Sequence, residues 1–419
     1  MKLPTAAFLP TFILITVIGG LIPATHANSQ PNRFRGADGS GIYSAPELPV
    51  EWTEEDYEWT VELPGDGHSS PMIWKNHLYL TSSDAGKPGS LLLCLDADSG
   101  KEIWRLEFEA SDRKLHKFNT FASSTTATDE HHVYIAWSDA ENFQVAAVDH
   151  TGKGVWQRNL GSHHTQHGGG ISPVVYEDLV IIPNDCRGPS SLHALDRMTG
   201  ETVWRKDRPW EATGKTSYST PLLYQAPWGE TLMIINSTSS GMTAINLSTG
   251  ETVWQIGDLF PKRTIMSPIQ IGELIFSSCG DGNSGFFLVA VQPPKKRGDS
   301  ATIAYQIRKS MPYVPTPVGR DDRLYLVSDG GIATCIEAST GTEIWKGNLR
   351  DTFFSSPILI DDRIYTVSRR ADVVVFEADD EFEILGRTLI NQETNATPIV
   401  HQGRLYLRTI SHLYCIGEG

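Results

Sequence analysis

SSPILIDDRIYTV, residues 355–367, opens a short apolar run with a Ser-Pro pair. It passes through turn residues into a strand-like run in which Tyr365 falls eight residues after Pro357. SSPMIWKNHLYL (69–80) repeats the arrangement with Pro71 and Tyr79, and ATPIVHQGRLYL (396–407) repeats it with Pro398 and Tyr406. Tyr134, Phe276 and Tyr325 hold the same place in other copies. The full set of anchors is Pro71, Thr126, Pro173, Pro221, Pro268, Pro317, Pro357 and Pro398, each preceded by Ser or Thr. Their spacings are 55, 47, 48, 47, 49, 40 and 41 residues. That period, with runs rich in β-branched and aromatic residues, belongs to a propeller blade and not to a helical solenoid.

A second signature completes the unit. LDADSGKEIW (95–104), VDHTGKGVW (148–156), LDRMTGETVW (195–204), INLSTGETVW (245–254) and IEASTGTEIW (336–345) read as strand, tight turn, strand. An Asp or Asn at the strand end bonds the turn backbone, and Gly100, Gly152, Gly200, Gly250 and Gly341 supply the positive φ that closes it. The Trp ending each copy offers a large apolar surface for burial between blades. Tyr305 replaces that Trp in the fifth unit, and Ile384 with Leu385 replace it in the seventh, so these are degenerate copies. The last unit lacks an outer strand, whereas an unpaired strand carrying Trp59 precedes the first. Lending it to the last unit closes the ring and removes both sheet edges. The expected fold is all-β: an eight-bladed β-propeller of four-stranded antiparallel blades at 59–419, after a leader at 28–58.

The 37 Gly and 24 Pro serve the turns, and no apolar stripe of helical period persists. Residues 1–27 differ: Lys2, an apolar stretch from Phe8 to Leu21, and small residues at Thr25 and Ala27 predict a signal peptide cleaved after Ala27. The protein is therefore expected to be exported, periplasmic or extracellular, without a stable membrane anchor. Cys94, Cys335 and Cys415 occupy the position of Ala147, Ala194, Ala244 and Ala290 in other units, and so read as small buried groups with free thiols. Cys186 and Cys279 fall in non-adjacent blades. With 50 acidic against 35 basic residues and a formal charge of −15, nucleic acid is a poor partner, and a soluble monomer is expected.

The Ser-Pro opening, the strand end typified by LHALD (192–196), the T-G turn and the outer Trp together resemble the repeat of pyrroloquinoline-quinone-like, or BamB-like, β-propellers, from about Trp59 to Gly419. FRGADGSG (34–41), LPVEW (48–52) and QHGGGISP (166–173) resemble segments of exported, planctomycete-type members. The resemblance implies the fold and divides over function. Members include quinone-dependent alcohol and glucose dehydrogenases, the outer-membrane assembly lipoprotein BamB, and sensor domains attached to kinases. The dehydrogenases imply a disulfide between adjacent cysteines over the quinone, a calcium site of Glu, Asn and Asp, and a catalytic Asp. This chain has no adjacent Cys pair and no long blade insertions, so neither pyrroloquinoline quinone nor calcium is expected. It also lacks the lipobox Cys of BamB.

In a four-stranded blade the loop leading into strand A and the B–C loop emerge at one end, and the T-G turns at the other. Function tends to reside on irregular loops over a rigid scaffold. Blade 3 is richest there. GSHHTQHGGG (161–170) places His163, His164 and His167 beside glycines that permit close backbone approach. NDCRG (184–188) adds Asp185, Cys186 and Arg187, and the next loop adds Lys206, Arg208, Lys215 and Tyr218. Imidazoles, a carboxylate, a thiol and cations suit an anionic or metal ligand. The plainer reading is of solvated or locally bonded side chains, because H-H-x-x-H outside a helix is no zinc motif.

The expected ligand-binding set is His163, His164, His167, Asp185, Arg187, Arg208 and Tyr218, with no metal site and no catalytic residue assigned. His116, Lys117 and Asn119, Lys262 with Arg263, and Arg369 with Arg370 would form a cationic channel mouth, unless they are simply solvated. Asp281 and Asn283 carry a fragment of a calcium-loop pattern, more plainly a glycine-rich turn. PPKKRGDS (293–300) reads as a solvated C–D insertion.

No G-x-S-x-G, H-E-x-x-H, Walker or G-x-G-x-x-G signature occurs. The reading is a binding or protein-interaction scaffold in the cell envelope, with a protein, a cell-envelope glycan or a small anionic ligand as partner. The alternative is an enzyme, either a quinone-dependent oxidoreductase or one using a His or metal site at the channel mouth. Convergence of His163, His167, Asp185 and Arg187 would favour a small-ligand or enzyme site, and splaying a scaffold. A glycan binder would show exposed Trp210, Tyr218 and Trp228 near the same loops.

Overall fold

The computed structural model describes residues 32–84, 87–112, 115–139, 141–209, 216–282 and 284–417. The predicted signal peptide at 1–27, and Trp210, Lys215 and Asn283, lie outside the described residues. Each sequence repeat forms one blade. Blade 1 is typical: strands A (Met72–Trp74), B (His77–Ser82), C (Gly89–Asp96) and D (Glu102–Glu109) pair in that order, each antiparallel to the next. Blade 8 takes its outer strand from the start of the ring, where Tyr57–Glu62 pairs antiparallel with His412–Ile416, as expected. Among the described residues no helix is long and apolar enough to cross a membrane.

The outer strand pairs explain the small-residue position. Cys94 lies opposite Trp104, Ala147 opposite Trp156, Ala194 opposite Trp204, Cys335 opposite Trp345, and Cys415 opposite Trp59. A bulge precedes each indole, so the residue before it, such as Ile103 or Val203, is turned to solvent while the ring turns inward. Blade 7 reverses the sizes, Val375 facing Gly386. All five cysteines are buried, and none is in a disulfide. The core runs between neighbouring blades: Leu80 and Leu93 of blade 1 share one apolar cluster with Val133 and Ile135 of blade 2 and Tyr406 and Leu413 of blade 8.

The leader is built into the ring. Arg35 is buried, and its Nη1 donates to the carbonyls of Thr316 (2.9 Å) and Pro357 (3.0 Å) while Nη2 donates to Pro317 (2.7 Å), just ahead of the inner strands of blades 6 and 7. Arg33 Nη2 donates to the Pro221 carbonyl of blade 4. Ile42–Tyr43 then pairs in parallel with strand A of blade 7, Ile358–Ile360. The chain continues outward beneath that blade, Tyr365 Oη donating to the Leu48 and Pro49 carbonyls and the Trp52 amide to Thr388 Oγ1. It thus reaches the outer strand of blade 8.

Candidate functional site

Side chains of an extended segment alternate, so residues one and three before an anchor face the same way. In every blade that way is inward. The residues one before the anchors are Ser70, Thr125, Ser172, Thr220, Ser267, Thr316, Ser356 and Thr397; those three before are His68, Ser123, Gly170, Tyr218, Ile265, Val314, Phe354 and Asn395. All sixteen line one central cavity of about 580 Å³, and Phe34 of the leader lines it too. The cavity is a cup, its wall contributed by every blade.

The hydroxyl ring locks the blades together. The amide of Ser70 donates to Thr125 Oγ1 (2.9 Å), that of Thr125 to Ser172 Oγ (3.0 Å), and the pattern continues from Thr220 to Ser267, Ser267 to Thr316, Thr316 to Ser356 and Ser356 to Thr397 at 3.0–3.2 Å. Above the ring the wall is mixed. Blades 4 to 7 give Tyr218, Ile265, Val314 and Phe354, whereas blades 8, 1, 2 and 3 give Asn395, His68, Ser123 and Gly170.

At the rim, the guanidinium of Arg369 stacks between Phe118 (4.2 Å) and Phe354 (4.7 Å), and Lys117 Nζ lies 4.7 Å from the Phe118 ring. Beside Phe118, which His116 meets at 5.3 Å, His167 packs against His116 with ring centroids 4.3 Å apart. Asn119 Nδ2 donates to the carbonyls of His167 (2.8 Å) and Gly169 (3.0 Å), fixing the glycine-rich loop. Gly168 is required there: its φ is +114°, and a Cβ would meet Asn119 Nδ2 at 2.8 Å. Arg263, only 5% exposed, lines the wall; its Nη1 donates to Tyr313 Oη (2.8 Å) and its Nη2 to Gln166 Oε1.

The cup is electropositive although the protein is acidic overall. Burial, with Arg263, His116 and Arg187 adding to it, lowers the His167 pKa to about 4. Burial, then Arg408 and Arg369, lowers that of His68 to about 3. Burial, Lys117 and Arg263 also lower His116. These imidazoles are neutral at pH 7.

Of the seven residues expected to bind ligand, the structure brings His167 and Tyr218 into the cup. Arg187 stands behind it, its Nη2 donating to Gln166 Oε1 (3.2 Å). His163 is buried, stacked on Phe143 at 4.7 Å with Nδ1 2.7 Å from Asn184 Oδ1. Asp185 and Arg208 form a buried pair at 3.4 Å, and His164 is exposed. His163, His167, Asp185 and Arg187, whose convergence would favour a small-ligand or enzyme site, are therefore divided: His167 lines the cup, Arg187 stands behind it, and His163 and Asp185 are buried away from it. Trp228 lies in the A–B turn of blade 4, at the opposite end from the cup, its Nε1 donating to Glu230 (2.9 Å). From the cationic mouth, His116, Lys117, Asn119 and Arg263 line the cup.

Sequence reasoning passed over Phe118, Gln166, Tyr313, Phe354, Asn395 and His68. Three of these six stand three residues before an anchor, so the repeat carried a signal for them. The others sit on the loops that lead into strand A of blades 2, 3 and 6. Among the described residues no group of three or more His, Cys, Asp or Glu could hold a metal ion. The lining residues offer Asp281, Asn119 and Asn395 but no Glu and no Cys. This donor set does not fit the calcium, quinone and paired-cysteine arrangement.

A sequence profile of the family described as outer membrane protein assembly factor BamB matches residues 88–264 and 306–381. The outer membrane protein assembly factor BamB of Yersinia pestis is 20% identical over 327 residues, covering 78% of this chain and 68% of that protein. Among solved structures, BamB from Moraxella catarrhalis superposes with a TM-score of 0.61 at 14% identity, over 85% of this chain and 95% of that one. A europium-containing methanol dehydrogenase gives 0.66 at 10% identity, over 92% and 98%. The quinohemoprotein alcohol dehydrogenase of Comamonas testosteroni gives 0.65 at 14%, over 94% and 82%. At such identities the structural likeness is one of fold alone.

Proposed function

This chain belongs to the family described as outer membrane protein assembly factor BamB, and on that premise we propose that it works by binding, as a rigid scaffold in the cell envelope with a protein as its partner. The recognition surface is the cup and its rim. The observation that carries this reading is the convergence of paired inward positions from all eight blades on one cavity, cross-linked by a hydroxyl ring and floored by the leader. A preformed concave site of this size suits recognition without rearrangement. The neutral imidazoles also favour binding over acid–base catalysis, because His167 at about 4 is a weak base at pH 7. Export through residues 1–27 would bring the protein to that compartment.

A photo-crosslinking residue at Lys117, on the rim, and another at Asp98, in a T-G turn at the opposite end, test the assignment in cells. We expect a discrete protein adduct from position 117 and none from 98; adducts from 98 alone would place recognition on the other face. The oxidoreductase alternative makes its own forecast, that pyrroloquinoline quinone with calcium raises the Tm through binding to the native state. We expect no rise.

A further inference from the structure

We propose that the cup seats a carboxylate bearing an apolar group beside it, with the carboxylate on Arg263 and the apolar group against Ile265 and Val314; the inference rests on the reading of the cup as a recognition surface. Arg263 is nearly fully buried, yet its hydrogen-bond partners are the neutral Tyr313 hydroxyl and Gln166 amide oxygen, and its Nε has no partner. A guanidinium taken out of water calls for an anion. Asp281, the carboxylate among the lining residues, lies 3.5 Å from Lys262 Nζ.

A further unpartnered polar group lies within the field of Arg263: His167 Nε2, buried without a partner. Each ring hydroxyl that accepts a backbone N–H keeps its own hydrogen for a ligand oxygen. The flat guanidinium edge matches a carboxylate. Ile265 follows Arg263 by two residues on the same extended segment, and Val314 follows Tyr313, so an apolar arc begins directly beside the cation.

Two sources share this chemistry, the C-terminal residue of a partner protein and a small free acid. Calorimetric titration at pH 7 would use Ac-Gly-Gly-Leu with a free carboxyl, the same peptide as its amide, N-acetyl-leucine and inorganic phosphate. We expect a free-acid probe to bind with Kd below about 1 mM, the amide to bind at least about tenfold more weakly, and phosphate not to compete. A peptide acid about tenfold tighter than N-acetyl-leucine identifies a chain end, and equal affinities identify a small acid.

A bound carboxylate offsets the field of Arg263, so the His167 midpoint, followed by NMR, should rise from about 4. Arg263→Lys, which keeps charge but loses the fork, should cost about tenfold, and Arg263→Gln should abolish binding, each with a cooperative unfolding transition retained. Equal binding of acid and amide, no binding of either acid at about 10 mM, or full binding in both variants would overturn the proposal. A Lys117 adduct obtained alongside such a result would leave the scaffold reading intact, so the two fail separately.

Discussion

Gly200 shows how one residue answers two demands. Its φ is +70°, and the indole of Trp156 from the preceding blade rests on it, so that a Cβ would meet the ring at 2.5 Å. Gly100, Gly152 and Gly250 stand likewise under Trp59, Trp104 and Trp204, and Gly341 under Tyr305. The sequence disclosed the backbone demand through the turn pattern. It concealed the steric one, because the covering ring comes from a residue 36 to 48 positions earlier. Gly200→Ala should destabilise by about 2–4 kcal/mol, combining left-handed backbone strain with overpacking. Gly229, with φ +91° and nothing within 4 Å, isolates the first contribution, and Gly229→Ala should cost about 1–2 kcal/mol. Equal losses in urea unfolding would refute the packing account. Tyr305, read as a degenerate copy, keeps the role in part, since its hydroxyl donates to the Ala338 carbonyl much as Trp104 Nε1 donates to that of His150.

Among the elements, the B–C loops latch the loops that build the cup. Asp139 accepts from the Ser111 amide (2.9 Å), and buried Asp329 accepts from the amides of Tyr313 (2.7 Å) and Val314 (3.2 Å). Asp185 stands in the corresponding loop of blade 3 and pairs with buried Arg208 at 3.4 Å instead. Asp329→Ala should release the loop carrying Tyr313, seen as faster amide exchange at 313 and 314 and a loss of about 1–3 kcal/mol.

The pH response of these elements has a definite sign. Burial raises the Asp329 pKa from 3.8 to about 6, so the folded state holds that proton more tightly and this contribution strengthens as pH falls from 6 to 4. His68, His167 and His193, lowered from 6.5 to about 3, 4 and 4, act oppositely, because the unfolded chain takes up their protons first. His116, His132, His150 and His401 are lowered too, whereas among the described carboxylates Asp185 alone joins Asp329 in being raised, so Tm should fall between pH 7 and 4.5. Asp329→Asn should make that fall steeper; a shallower fall would contradict the assignment.

For the whole molecule, the leader acts as a clasp. It enters at the channel, where Arg33 and Arg35 hold carbonyls just ahead of the inner strands of blades 4, 6 and 7, and leaves at the outer edge of the ring as the closing strand of blade 8. Arg35→Ala strands buried carbonyls and should cost about 2–4 kcal/mol in urea unfolding. It should also weaken probe binding in the cup by withdrawing Phe34 from the floor. Unchanged stability would mean that the leader is an appendage.

The repeat by itself determined the architecture: anchor spacing, turn glycines, alternating apolar runs and the spare Trp59 strand are all local in sequence, and a period-two pattern repeated eight times admits few folds. The ring hydroxyls were visible too, as the Ser or Thr before every anchor. Only the tertiary structure decided which polar residues share a site. His163 and His167 are four residues apart, yet one packs on Phe143 and the other faces Arg263, ninety-six residues further along. Closing the ring brings eight distant loops to one axis, and the distances across that axis are set by blade packing and by the leader beneath it, not by neighbours in the chain.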